Sequence, residues 1–218
     1  MNQSQERATS SDDLRRAIAG RLDPIETYDP LTRKVSSDFD LNPNPDPLPS
    51  VLTPAAVLVA LVEHETGPTV LLTRRADTLR RHTGQIALPG GRCDPGETPW
   101  ETALREAHEE IGLDPALVSL AGLSSAYHTG SGFDITPVVG FVKPGFVLTA
   151  NPAEVADIFE TPFAFLMDPL NHERRFLDGA DGQRRHFYAM SYEERVIWGA
   201  TAGILRALYQ RLGDVVAA

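Results

Sequence analysis

Residues 89–113 read Pro89-Gly-Gly-Arg-Cys-Asp-Pro-Gly-Glu-Thr-Pro-Trp-Glu-Thr-Ala-Leu-Arg-Glu-Ala-His-Glu-Glu-Ile-Gly-Leu113. Both ends of a helix are written into this stretch. Thr98 can cap the N-terminus, Pro99 suits the first helical position and Glu101 completes a capping box. Gly112 can take the left-handed conformation that stops the helix. At about 100° per residue, Trp100, Leu104, Ala107 and Ile111 fall on one apolar face. Glu106, Glu109 and Glu110 gather on another side within an arc of about 100°. Arg105 can offset one of these charges, which leaves Glu106 and Glu110 without an intrahelical partner. Like charges one turn apart destabilise a helix. A solvated acidic face is the ordinary fate of such a run. The alternative is a divalent cation that relieves the repulsion. Oxygen-only ligands on a rigid helix suit Mg²⁺ or Mn²⁺. No His or Cys cluster competes for the role, and His108 projects away from the carboxylates.

Strands surround this helix. Ala55–Val62 (AAVLVALV) is a buried-strand pattern, Gly67-Pro68 marks a turn, and TVLLTRR follows as the second arm of a hairpin. Arg75 to Thr83 is a polar, Arg-rich loop, and Gln85–Leu88 a short strand before the Pro89-Gly90-Gly91 turn. Beyond the helix, Val118–His128, Asp134–Val142 and Glu154–Phe159 read as strands, and Pro162–Met167 as a helical turn. Arg174–Leu177 and Arg185–Tyr192 read as a polar hairpin. A last helix is expected from about Glu193 to Leu212, with Ser191 and Glu194 as its capping box and Ile197, Ile204 and Leu208 as its apolar stripe. Strands, helix, strands, helix is the order of an α+β fold, an α/β/α sandwich around a mixed sheet. Residues 1–50 read as an N-terminal extension, with a short amphipathic helix over Asp12–Leu22. Five prolines between Pro43 and Pro54 then forbid a regular element. That stretch is expected to be an extended lead-in packed on the domain, or a linker. Residues 51–218 form the main domain.

Composition narrows the function. The 218 residues are 42% hydrophobic and 23% charged, enough apolar content for a sizeable core, which excludes wholesale disorder. Twenty Lys and Arg against thirty Asp and Glu give a net charge of −10, unfavourable for general binding to nucleic acid or a membrane surface. The single cysteine, Cys93, forbids an internal disulfide. The first sixteen residues lack the apolar core of a secretory signal, and no apolar run is long enough to span a bilayer. A cytoplasmic protein is expected, and a homodimer is compatible with the chain.

The spacing Gly91-x5-Glu97-x7-Arg105-Glu106-Ala107-x-Glu109-Glu110-x-Gly112-Leu113 resembles the Nudix box of the Nudix hydrolase superfamily at every specified position. The resemblance implies a loop–helix–loop that binds Mg²⁺ or Mn²⁺ within a Nudix α/β/α sandwich. It implies hydrolysis of a diphosphate linked to another moiety. Carried over by residue, Glu106 and Glu110 are the main metal ligands and Glu109 is a further ligand or candidate base. Glu97 and Arg105 are a structural ion pair, and Gly90 and Gly91 bring backbone close to phosphate.

The upstream stretch Leu71-Leu72-Thr73-Arg74-Arg75-Ala76-x3-Arg80-x3-Gly84-x3-Leu88-Pro89-Gly90-Gly91 is similar to the signature of coenzyme A pyrophosphatases, with Leu88 where that pattern has Phe. Residues 158–169 are similar to that family too, so the resemblance spans about Ala55 to Leu212. It implies cleavage of coenzyme A or a derivative into 3′,5′-ADP and 4′-phosphopantetheine or its acyl form. Arg75, Arg80, Gly84, Gly90 and Gly91 are then the substrate-binding set. Between Thr73 and Arg92 lie five Arg and one Asp, a local +4 that suits phosphates. Two other readings compete. One keeps the enzyme and changes the substrate to ADP-ribose, a dinucleotide or an oxidised nucleotide. The other is a non-catalytic ligand sensor. His82, His128 and Asp134 are weaker candidates near the site, and Cys93 is not expected to be a nucleophile.

Overall fold

The computed structural model describes residues 12–42, 51–76, 84–179 and 182–216. Its centre is a mixed nine-stranded sheet. The long strands β2 (Thr53–His64) and β8 (Phe133–Val142) run parallel at its heart, and β3 (Gly67–Arg75) pairs antiparallel with β2 through the expected hairpin. The main path is β1 (Val35–Ser37), β7 (Ala126–His128), β8, β2, β3, β4 (Ile86–Ala87). Off this path, β5 (Gly90–Arg92) pairs with β2, β6 (Val118–Leu123) with β8, and β9 (Val155–Pro162) with β3.

Because side chains alternate across a strand, β2 feeds two cores. Ala56, Leu58, Ala60 and Val62 pack against Ala103, Ala107 and Ile111 of helix α2 (Pro99–Ile111). Val59 and Leu61 face the opposite core, with Ile204, Leu205 and Leu208 of helix α4 (Ala200–Leu212). One helix on each face of the sheet is the expected sandwich. A second sheet of three strands, β10 (Glu173–Asp178), β11 (Arg184–Tyr192) and β12 (Arg195–Trp198), leans against the α4 side, and the short helix α3 (Phe163–Leu166) precedes it.

The structure departs from the sequence reading in three places. The last helix starts at Ala200, not Glu193. Residues 195–198 instead form β12, which pairs with β11 across the turn at Glu193-Glu194. Ser191 therefore caps nothing; its hydroxyl accepts from Arg175 at 2.9 Å. The helix expected over Asp12–Leu22 is present as α1, residues 12–19, with Ile18 fully buried in the α4-side core. The second departure follows it: Val35–Ser37 lies in a stretch read as irregular, yet pairs in parallel with Ala126–His128. The third concerns Gly90-Gly91, read as a turn and found as strand β5. The prolines from Pro43 to Pro49 and the loop holding Arg80, Arg81 and His82 lie outside the described residues. Among the described residues no helix is long and apolar enough to cross a membrane.

Candidate active site

Helix α2 carries the expected caps. Thr98 and Glu101 form the reciprocal capping box, and Gly112 closes the helix at φ 69°. Its orientation is rolled relative to the expected face. The buried residues are Thr102, Ala103, Ala107, Glu110 and Ile111, whereas Trp100 and Leu104 are only half-buried. The cause lies in β5. Gly90 and Gly91 have no side chains, so α2 settles close over them and Glu110 turns inward to accept the Gly90 N–H at 3.2 Å. A Cβ built on Gly91 would stand 2.6 Å from Glu106 Oε2, inside contact distance, so a side chain there would collide with that carboxylate. Glu106 and Glu110 are thus gathered beside a bare strand backbone.

The electrostatics follow from this placement. Burial pushes the Glu110 carboxyl up to about 7; the Gly90 N–H and the nearby Arg75 charge pull the other way without cancelling it. Burial also raises Glu106, partly offset by Arg105. Glu154, just before β9, adds a further negative charge that raises both. Two backbone bonds hold its loop to the C-terminal end of α2: Thr149 N–H to Ile111 O and Asn151 N–H to Glu110 O, each 2.9 Å. Sequence reasoning missed Glu154, because a lone acidic residue in a loop has no spacing relation to the box.

Arg105 does more than the helical projection implied. Its Nε and one terminal nitrogen grip Glu97 at 2.7 and 2.9 Å, while the other terminal nitrogen reaches Glu106 at 2.9 Å and Glu109 at 3.2 Å. Glu109 is 54% exposed and joins the group only through this arginine. Paired with Arg105, Glu97 is held down to about 2. Its folded value lies below the ordinary one, so the stabilisation is present above about pH 4.5 and is lost as pH falls toward 2. Glu97→Gln is therefore expected to lower the melting temperature at pH 7 and to remove that acid-dependent step. It should cost kcat less than Glu110→Gln. Melting curves between pH 2 and 7 with parallel assays check this, and a larger kcat loss in folded Glu97→Gln would contradict it.

The residues present suit a hard divalent cation. The donors are all carboxylate oxygens, two of them half-buried or buried beside a glycine-bare strand, with burial raising both. Among the described residues no group of three His, Cys, Asp or Glu side chains is placed to hold a metal ion.

Against this site opens a cavity of about 900 Å³. Gly90, Gly91, Arg75 and Arg92 line the end beside the carboxylates. Arg75 Nε is buried and has no hydrogen-bond partner among the described residues. Gly84, left-handed at φ 68°, precedes β4 and is not part of the lining, and Arg80 lies outside the described residues. His128 and Asp134 point elsewhere: Asp134 pairs with Arg33, and His128 Nε2 lies 3.4 Å from Asp134.

A sheet with a helix on each face, and Glu106 and Glu110 beside a glycine strand, defines a class, and the comparisons agree. The NUDIX domain family model matches residues 52–178. The chain belongs to the Nudix hydrolase family. It is 40% identical over 176 residues to "Uncharacterized Nudix hydrolase NudL" of Photorhabdus laumondii, covering 80% of this chain and 92% of the relative. The protein of the same name in Yersinia enterocolitica is 43% identical over 72% of this chain and 80% of that one. A solved Caenorhabditis elegans Ap4A hydrolase complex aligns with TM-score 0.45 and 18% identity, over 50% of this chain and 80% of that one; a likeness at that level says nothing of substrate. Members of this family generally need a divalent metal ion.

Proposed function

We propose that the protein hydrolyses the diphosphate of coenzyme A or a derivative, giving 3′,5′-ADP and 4′-phosphopantetheine or its acyl form. The observation that carries the reading is the position of Arg75. It lies on the coenzyme A signature, acts on Glu110 through its charge and lines the cavity with a buried Nε that has no partner among the described residues. A cation there can hold the diphosphate oxygens while the rest of the substrate occupies the cavity.

Glu106 and Glu110, with Glu109 at the solvent side, would hold Mg²⁺ or Mn²⁺. When bound, the metal supplies neutralisation of the diphosphate charge and a lowered pKa for an attacking water. The chain's own residues do the rest. The Gly90-Gly91 backbone lets the diphosphate approach, and Arg75 and Arg80, with Gly84 of the same signature, bind and orient it. Arg105 orients the Glu106 carboxylate through its 2.9 Å hydrogen bond. The water oxygen bonds to one phosphorus, the bridging P–O bond breaks, and each product leaves as a phosphate monoester. The partner is thus a small molecule, not nucleic acid or membrane, in a cytoplasmic protein; the net charge of −10 supports this.

The test is product analysis with coenzyme A and each metal. The expected products are 3′,5′-ADP and 4′-phosphopantetheine. Arg75→Ala is expected to lower kcat/KM by roughly ten- to a hundredfold, the worth of one charge-assisted hydrogen bond. If part of this basic loop reads the 3′-phosphate, dephospho-coenzyme A will be the poorer substrate. Turnover of ADP-ribose or a dinucleotide in preference to coenzyme A would overturn the reading.

A further inference from the structure

The cavity has a wall made by the N-terminal segment. Ser37 caps a single turn, Asp38–Leu41, through a reciprocal capping box with Asp40. The turn is fixed at two places. Asp38 accepts the Tyr127 hydroxyl at 2.9 Å and the Gly130 N–H at 2.8 Å, tying it to the main sheet. Asn42 donates to Asp38 O at 2.8 Å and to His186 O at 3.1 Å, and accepts the His186 N–H at 2.8 Å, tying it to β11. The turn therefore bridges the two sheets and closes the chamber between them. Phe39 and Leu41 line it from this side, facing a floor that includes Val57, Leu88, Ile135 and Ile204.

We infer that the turn Ser37–Asn42 is a specificity wall, and that the chamber behind it receives the pantetheine arm of the substrate and any acyl chain it carries. This rests on the coenzyme A reading above. The chemistry of the lining selects that half of the molecule. The floor is aliphatic. Of the polar side chains around it, Asp38 and Asn42 are used as above and the Thr201 hydroxyl donates to Ile86 O at 3.0 Å, while Arg75 and Arg92 lie at the end beside the carboxylates. Reading the edge of a nucleobase needs free, convergent donors and acceptors, whereas a flexible aliphatic arm needs shape and apolar contact. The exposed Arg184 is held by Asp178 at 3.1 Å and stacked 3.9 Å from the Phe176 ring. Among the described residues, Arg75 and Arg92 line the end beside Glu110 and Gly91, where the phosphates belong.

Trp198 lines the chamber, and the only other tryptophan, Trp100, packs edge-on against Tyr28 at 6.1 Å on the α2 side. In a Trp100→Phe background, emission from Trp198 reports chamber occupancy without metal or turnover. Titration of the full chain with 4′-phosphopantetheine is expected to change that emission saturably, and 3′,5′-ADP is not. Phe39→Ala should weaken 4′-phosphopantetheine at least tenfold, Phe39→Leu should restore most of the binding, and Asn42→Ala should weaken it without removing an apolar group. In steady state Phe39→Ala should raise KM for coenzyme A and spare kcat at saturation. A response to 3′,5′-ADP alone, a response to neither ligand, or an unchanged affinity in a folded Phe39→Ala would overturn the inference. Saturable 4′-phosphopantetheine binding without any coenzyme A hydrolysis would overturn the substrate reading and leave the chamber standing. Hydrolysis of coenzyme A with a chamber that ignores 4′-phosphopantetheine would do the reverse.

Discussion

Glu110→Gln is expected to reduce kcat by roughly three orders of magnitude, about 4 kcal/mol of transition-state stabilisation, while making the metal-free protein more stable. The two effects share one cause. Glu110 is 4% exposed and its carboxyl is pushed up to about 7 by burial. A raised value means that the folded state holds a proton which the unfolded chain has already released between about pH 4.5 and 7. The cost of ionising it is therefore absent below about pH 4.5, grows as pH rises through 7, and is constant beyond. At 1.36 kcal/mol per pKa unit the plateau is on the order of 3 kcal/mol. Gln keeps an oxygen for the Gly90 N–H and carries no charge, so the variant should melt above the parent at pH 8, with the gap closing toward pH 4.5. A divalent metal should raise the melting temperature of the parent and do little for the variant. Near-parental kcat at saturating metal would remove Glu110 from the mechanism, and a lower melting temperature at pH 8 would contradict the burial argument.

The second large effect falls on stability. Gly90→Ala places a Cβ 2.6 Å from Val57 Cα and against the Ala56 carbonyl, both backbone of the central strand. Backbone in the middle of a sheet cannot step aside, so relief requires breaking the β5–β2 pairing at Val57–Gly90 and its neighbours. The expected loss is about 3 kcal/mol or more, at the upper end of overpacking costs, and activity goes with it. Gly91→Ala is the contrast. Its Cβ meets only the far end of the Glu106 side chain, which can swing away. That variant is expected to fold with a small change in melting temperature and to lose activity because Glu106 is displaced. Calorimetry on the pair, with assays at saturating metal, reads the difference; equal melting temperatures for Gly90→Ala and the parent would show that β5 is not held as described.

The parts legible from the chain were those whose cause is local. Thr98, Pro99, Glu101 and Gly112 delimit α2 by chemistry within one turn, and the unbroken apolar run Ala55–Val62 marks β2. What depended on distant partners was not legible. Ser191 and Glu194 imitate a helix start, yet Ile197 is buried as a strand residue because β11 lies beside it. Val35-Ser36-Ser37 has no periodicity of its own and becomes a strand only through Ala126–His128. The inward roll of Glu110 comes from the missing side chains of β5, not from the helix pattern. Glu154 and Asp38 reach their places through loops, and no spacing rule connects them to the box.

The parallel pairings also impose a timetable. Thr53 of β2 pairs with Phe133, and Val35 of β1 with Ala126, so each waits for roughly 80 to 90 more residues to be synthesised. At about 5–20 residues per second that delay is on the order of 4–18 s. During it β3 pairs with Leu61–His64 and, once made, β5 with Ala55–Val57, while the partner edge that β8 takes stays open along the whole of Thr53–Val62. Such a run is the kind of segment that seeks another chain when left unpaired. Yield of folded protein from cells is therefore expected to depend on the pace of translation, which sets how long the edge stays open, and on the chaperone capacity that shields it.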